Sequence, residues 1–407
     1  MTSTESSYRS VLLSRPGAVE AEGLDEGVAG HYGDPVPEQR ALARGTGYVD
    51  QSQRGVVTVT GADRLNWLTT LSSQVLTGLK PGQSTETMFL SVQGRVEYAP
   101  HAVDDGTTTW LIAEAQEAPG LAAWLESMRF ALRVDVADVT DQWAVIAATK
   151  DLSSELAGAP EGEQAASASV ITWRDPWPEI SPGGYAYSAA PEHPGLERPW
   201  FEHLIPMTVL DSAATALNQR GLVPAGSWAA EALRIAAWRP RWGAETDVKT
   251  IPHELDWMRT AVHLSKGCYK GQETVARVHN LGHPPRRLTF LDLDGSQHTL
   301  PSAGAEVTLN GKKVGQVTSA RLHYEAGPIA LAVLKRNVDP QAELLVRDTV
   351  ESAAAQADAT LPEGAEDAGS TEQWSAAQTV VVQPDAGSVV GRPKDLMRGP
   401  RDGGMRL

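Results

Sequence analysis

The 407-residue sequence contains one cysteine, Cys268, and four phenylalanines. A lone cysteine excludes intrachain disulfides and metal cages built from thiolates alone. It leaves the Cys268 sulfur three roles: a small buried hydrophobe, a reactive thiol, or a ligand shared with another molecule. Positive charge is also scarce. Lysine and arginine number 35 against 51 acidic residues, for a formal net charge of −16. No global field draws such a chain to nucleic acid, and no direct nucleic-acid partner is expected. No segment reaches the ~18 consecutive apolar residues that span a bilayer. The Ser/Thr-rich Met1–Ser10 stretch lacks the apolar run of a signal peptide. A cytoplasmic chain with no membrane partner is the expectation. Gly304 and Gly311 lack the strand-to-helix setting of a nucleotide-binding loop.

What remains is ordinary globular composition, with 41% hydrophobic and 21% charged residues. The length suggests two to three domains. Residues 1–44 carry scattered Gly and Pro and read as an irregular arm. In 45–150, Gly55–Thr60 has the β-branched content of a strand, and Leu65, Leu68 and Leu71 follow at helical spacing. Further strands are expected at Thr87–Leu90, Val96–Val103 and Trp143–Ala148, with a helical pattern over Leu121–Leu132. In 151–285, an Ala/Glu/Gly/Ser-rich excursion over 151–169 precedes two helices. One runs from Asp211 to Arg220, and the other is capped by Ser227 and reaches about Trp238. Residues 286–350 alternate like short strands, with Asn310-Gly311 as a hairpin turn, and read as a small β-barrel. Residues 351–407 read as a disordered low-complexity tail. The fold class is α+β, with an all-β end.

One cluster stands out: Lys266-Gly267-Cys268-Tyr269-Lys270-Gly271-Gln272-Glu273, followed by Thr274-Val275-Ala276-Arg277. Two glycines four apart permit positive φ or close backbone approach. Lys266, Lys270 and Arg277 place cations near the thiol, a setting that favours thiolate. Gln272 and Glu273 supply groups suited to the edge of a polar heterocycle. A glycine-rich turn around a buried cysteine is the competing reading. His279 and His283 follow Cys268, but Gly282 and Pro284 argue against a shared helical face, and no stably bound metal is expected. Trp228, Trp238, Trp242 and Trp257 are either core or a stacking surface, and Arg234, Arg239 and Arg241 are either anion-binding or surface residues.

The cluster resembles the signature Lys-Gly-Cys-Tyr-x-Gly-Gln-Glu of the YgfZ-type folate-binding proteins, relatives of the glycine-cleavage T-protein (aminomethyltransferase). Flanking segments continue the resemblance: Gly55–Asp63, Leu90–Val96, Gly221–Gly226, Glu231–Ile235, Ile251–Leu255 and Val314–Ser319. It spans roughly residues 45–345. The resemblance implies a three-domain ring of two related α+β domains and a small C-terminal β-barrel around a central hole that takes tetrahydrofolate or a derivative. It implies Arg234, Lys266, Tyr269, Gln272, Glu273 and Arg277 as folate-binding residues, Gly267 and Gly271 as the loop's backbone, and Cys268 as the functional thiol.

Two departures bear on activity. After the glycine matching Gly94, the T-protein hairpin carries an aspartate needed for aminomethyl transfer, whereas Tyr98 or Ala99 stands there in this chain. The T-protein pattern Leu-Arg-Leu-Glu becomes Leu233-Arg234-Ile235-Ala236. The resemblance therefore implies a monomeric, reduced-folate-binding accessory factor rather than a defined enzyme. Its partners would be iron–sulfur client or assembly proteins, its work iron–sulfur cluster assembly or repair and the tRNA modification that depends on it. A folate-dependent aminomethyl transferase and a non-catalytic scaffold are the alternatives.

Overall fold

The computed structural model describes residues 8–157, 170–296, 298–350 and 370–390. Seven α-helices occur among them: α1 Pro35–Ala43, α2 Arg64–Leu71, α3 Ala118–Ser127, α4 Ser153–Ala157, α5 Leu210–Gln219, α6 Ser227–Ala236 and α7 Gln272–Leu281. None of the described helices is long and apolar enough to cross a membrane.

Three β structures organise the chain. The first is a five-stranded antiparallel sheet in the order 135–138, 55–60, 108–113, 101–104, 84–86. Its strand Gly55–Thr60 is buried over five of six residues, and the sheet packs on α2 and α3 through Leu68, Leu121 and Leu125. The second is a five-stranded sheet in the order 171–174, 201–206, 143–148, 47–50, 223–225, with one parallel pair. Strands Gly47–Asp50 and Trp143–Ala148 thus belong to the second sheet although they flank the first in sequence. The chain enters and leaves the first layer through its neighbour, so the expected division near residue 150 does not separate the sheets. The third is a closed six-stranded barrel in the order 286–293, 327–335, 312–323, 306–309, 344–350, 370–380. Asn310 and Gly311 both have positive φ, +50° and +75°, as a type I′ hairpin requires. The α+β architecture with a terminal barrel is the one expected.

Local expectations fared unevenly. Among the described residues of the arm before residue 45, a hairpin pairs Val19–Glu20 with Ala29–His31, and α1 follows with Asp34 capping its first turn. Strand Ser370–Val380, expected to be disordered, pairs with 344–350 on one side and 286–293 on the other and buries Trp374. Closure satisfies its backbone groups on both edges, so weak intrinsic β preference suffices. The remainder of that tail, 351–369 and 391–407, lies outside the described residues, as does most of the 151–169 excursion. Ser227 does not cap α6. The cap is Gly226, whose N–H donates to Glu38, and Ser227 Oγ is buried with no partner. A side chain at 226 would sit 2.0 Å from the Gly30 carbonyl oxygen, because the N-terminal hairpin packs on the helix start.

Candidate functional site

A buried polar cavity lies between the two sheets and helix α6. Helix α6 and the loop after it supply Glu231, Arg234, Arg239 and Arg241. The turn after strand 47–50 supplies Gln51 and Arg54, the first sheet and its connections supply Ala99, His101, Glu114 and Glu117, and the second supplies Asp175, Arg198, Trp200 and Glu202. Trp242 and Trp257 complete two walls. Water centres have about 40 Å³ to occupy, room for a few molecules. The rest of the space is filled by ion pairs.

Those pairs share partners. Arg241 donates to both oxygens of Glu114 (2.9 and 2.8 Å), to Asp25 (2.8 and 3.2 Å) and to Glu231 (3.1 Å). Asp25 comes from the N-terminal arm, which therefore closes one side of the cluster. Arg239 pairs with Glu86 and Asp175 at 2.8 and 3.1 Å, and Arg54 pairs with Glu114 at 3.4 Å. Burial would raise Glu114, Glu202 and Glu231, but nearby cations outweigh it. Glu202 is held down to about 2 by the His101 ring and Arg54, and Glu231 lies far below the usual carboxylate range beside Arg234 and Arg241.

Of the residues assigned to folate by resemblance, Arg234 alone is among the side chains lining this cavity. Its five N–H donors are taken by Glu231, Glu245, Ser319 and the Arg239 carbonyl. The signature loop lies elsewhere, where it joins the second sheet's connections to the first domain. Lys266 Nζ donates to the carbonyls of Thr69 and Ser72 at the C-terminal end of α2, where unpaired carbonyls favour a cation. Burial lowers this amine to about 8. Tyr269 is buried in the core shared with Val96, Met88 and Trp257, Gln272 donates to the Lys266 carbonyl at 3.2 Å, and Glu273 and Arg277 are exposed on α7.

The two signature glycines differ. Gly267 has open space where a side chain would go. Gly271 precedes α7 at φ +85°, and a Cβ there would lie 2.5 Å from the Ser91 carbonyl oxygen and 3.0 Å from Gly94 Cα. The signature is thus pressed onto the 91–94 turn by glycines on both sides. Cys268 projects from this joint and is exposed.

The hairpin of strands 89–90 and 96–98 settles which residue faces the cavity. Ala99 lines it, Tyr98 turns toward Trp124 at 6.4 Å between ring centroids, and Glu97 pairs with Lys270 at the surface. Ala236 packs against the core beneath the signature. Trp242 and Trp257 line the cavity, whereas Trp228 packs on His31 and Trp238 on His193. Arg239 and Arg241, expected as either anion-binding or surface residues, are buried in its lining. His279 sits on α7 and bonds the Tyr187 hydroxyl at 2.9 Å, and His283 follows the helix and bonds the Ala386 carbonyl at 2.9 Å, so the two do not converge. Among the described residues, no group of three His, Cys, Asp or Glu is arranged to hold a metal ion.

Among the cavity groups, Gln51, Arg54, Glu117 and Arg198 had no sequence signal. Arg54 and Arg198 each bury an Nε with no hydrogen-bond partner, as do Trp257 with its Nε1 and Gln51 with its Oε1. A buried donor without an acceptor is costly, so this lining fits a polar, hydrogen-bonding ligand.

Comparison with known proteins agrees with the fold. Residues 34–168 match the family described as the GCVT N-terminal domain. The chain is 27% identical over 300 residues to a putative chloroplastic transferase of Arabidopsis thaliana, covering 72% of this chain and 66% of that protein, just under two thirds of its length. It is 26% identical over 312 residues to an aminomethyltransferase of Synechococcus sp. (strain CC9902), covering 73% of this chain and 82% of that one. The glycine cleavage system aminomethyltransferase T of Bartonella henselae superposes with a TM-score of 0.67 at 18% identity, covering 89% and 94% of the two chains. The class defined by fold and site is a T-protein-like α+β assembly of two sheet layers and a terminal barrel, with a charged cavity between the layers. Within that class the chain is similar in sequence to proteins named aminomethyltransferases.

Proposed function

We propose that this chain binds a reduced folate in the central cavity and serves as an accessory factor in iron–sulfur cluster assembly or repair, with Cys268 as its functional thiol. The observation that carries the departure from transferase chemistry is Ala99. It occupies the cavity-facing position of the hairpin after Gly94, where the resemblance expects an essential aspartate, and Glu97 cannot substitute because it is spent on Lys270 at the surface.

The unpartnered Arg54, Arg198, Trp257 and Gln51 atoms suit the polar edge and anionic end of a folate. Arg234 orders the wall rather than donating to the ligand, since its donors are already used. Trp242 and Trp257 offer apolar faces. The present ion pairs leave little empty space, so entry requires side chains to part. When bound, a reduced folate supplies nitrogen atoms that carry one-carbon units. Cys268 stands at the solvent face of the joint, open to a protein or metal-bearing partner.

Calorimetric titration of the full chain with tetrahydrofolate tests the binding half, with saturable one-to-one uptake expected. No heat and no saturation at millimolar ligand would sink it. A deletion strain complemented with Cys268→Ala tests the other half. The variant should accumulate as folded protein and leave iron–sulfur enzyme activities low, and full rescue would reduce the thiol to packing. The second reading, aminomethyl transfer, is favoured by the named activity of the relatives. Formation of methylenetetrahydrofolate from an aminomethyl donor would establish it in place of the first.

A further inference from the structure

Six carboxyl groups line the cavity, and five of them lie within salt-bridge distance of a basic side chain. Glu86 and Asp175 face Arg239, Glu114 and Glu231 face Arg241, and Glu202 faces His101. Glu117 is the exception among the described residues. It is 1% exposed, and its only hydrogen bonds are to backbone amides, with Oε1 accepting from Ala99 N–H at 2.8 Å and Oε2 from Glu114 N–H at 3.0 Å. Each oxygen therefore keeps a further hydrogen-bonding position. The Ala99 amide fixes it beside the cavity-facing alanine, so the smallness of that side chain leaves the carboxyl uncovered.

We propose that Glu117 is the ligand-facing acid of the central cavity, its carboxyl O–H donating to a ring nitrogen of a nitrogen heterocycle bound there. This rests on the folate reading and names the group that distinguishes the bound ring's protonation state. The four arginine-paired carboxylates can orient a ligand but have no proton to give, while an uncompensated acid does.

The charged and titratable groups around Glu117 are few. Glu114 approaches from the same turn, Arg54 from the loop after strand 47–50, and the Tyr98 phenol from the hairpin. Burial is the largest influence and raises the carboxyl, the two amide bonds and Arg54 lower it, Glu114 raises it, and the balance lies at about 8. The acid is then protonated at neutral pH and loses its proton in mild base.

The experiment is titration of the full chain with 5-formyltetrahydrofolate, a stable reduced folate, at pH 6 to 9.5, for wild type, Glu117→Gln and Glu117→Ala. Wild-type affinity should hold to about pH 7.5 and fall about tenfold per pH unit above the acid's midpoint. Glu117→Gln keeps a donor and should lose this pH dependence, and Glu117→Ala should bind at least tenfold more weakly at pH 7. A pH break unchanged in both variants overturns the assignment while leaving folate binding intact. No binding by wild type overturns the folate reading, and this inference with it. Infrared difference spectra of unliganded wild type against Glu117→Gln give a readout free of ligand. A protonated-carboxyl stretch at pH 7 that is present in wild type and missing in the variant is expected, and its presence in both at equal strength counts against the proposal.

Discussion

Replacing Arg241 with methionine probes the charge cluster that ties the N-terminal arm and the first sheet to helix α6. Methionine keeps much of the volume and removes the guanidinium with its five hydrogen bonds to Glu114, Asp25 and Glu231. Their losses are unequal. Glu114 retains Arg54 and Glu231 retains Arg234. Asp25 retains only the Gln53 amide at 2.7 Å. A buried carboxylate stripped of its cation costs about 3–5 kcal/mol, a large share of the ~5–15 kcal/mol that folded domains possess. The Arg241→Met chain should lose about that amount in urea unfolding followed by tryptophan fluorescence. Adding Asp25→Asn removes the stranded charge while its carbonyl still accepts from Gln53, and should restore about 1–3 kcal/mol. Protease cleavage within the 8–31 arm should rise in the single variant, because Asp25 is the arm's ionic link to the cavity. A loss below about 1 kcal/mol, or a double variant that recovers nothing, would refute the reasoning.

Three further outcomes are expected. Gly271→Ala meets both the positive φ and the Ser91 carbonyl at 2.5 Å, and should cost at least ~2 kcal/mol, seen as a lower thermal midpoint; an unchanged midpoint would mean the joint is loose. Cys268→Ala, at an exposed position, should change unfolding free energy by less than about 0.5 kcal/mol, and the native thiol should alkylate with iodoacetamide without unfolding. Glu202, held down to about 2, contributes stability that is complete above its unfolded value near ~4.3 and disappears as pH falls toward 2. That shift, set by His101, Arg54 and Arg239 together, corresponds to on the order of 2–3 kcal/mol, and Glu202→Gln should flatten the acid limb of the stability curve.

Legibility in the sequence followed the range of the interactions. Strand Gly55–Thr60, the α2 leucines and the Asn310-Gly311 turn are specified by neighbouring residues, and each is where its pattern put it. The hidden strand Ser370–Val380 has no such pattern; two partner edges make it. The signature loop was conspicuous because its glycines and lysine have unusual backbone and capping duties, and those duties belong to a joint between domains. The cavity was inconspicuous because Asp25, Arg54, Glu117, Arg198 and Arg241 are unremarkable one at a time.

Taken alone, the sequence determined a mixed α/β chain ending in β structure, one thiol, and a loop demanding glycine, since these depend on composition, periodicity and single-residue sterics. Tertiary structure decided which carboxyl has no cation, which arginine has a free donor, and that Ala99 rather than Glu97 faces the cavity. Charge pairing, desolvation and strand facing are set by atoms brought together from distant segments, and no local pattern encodes them.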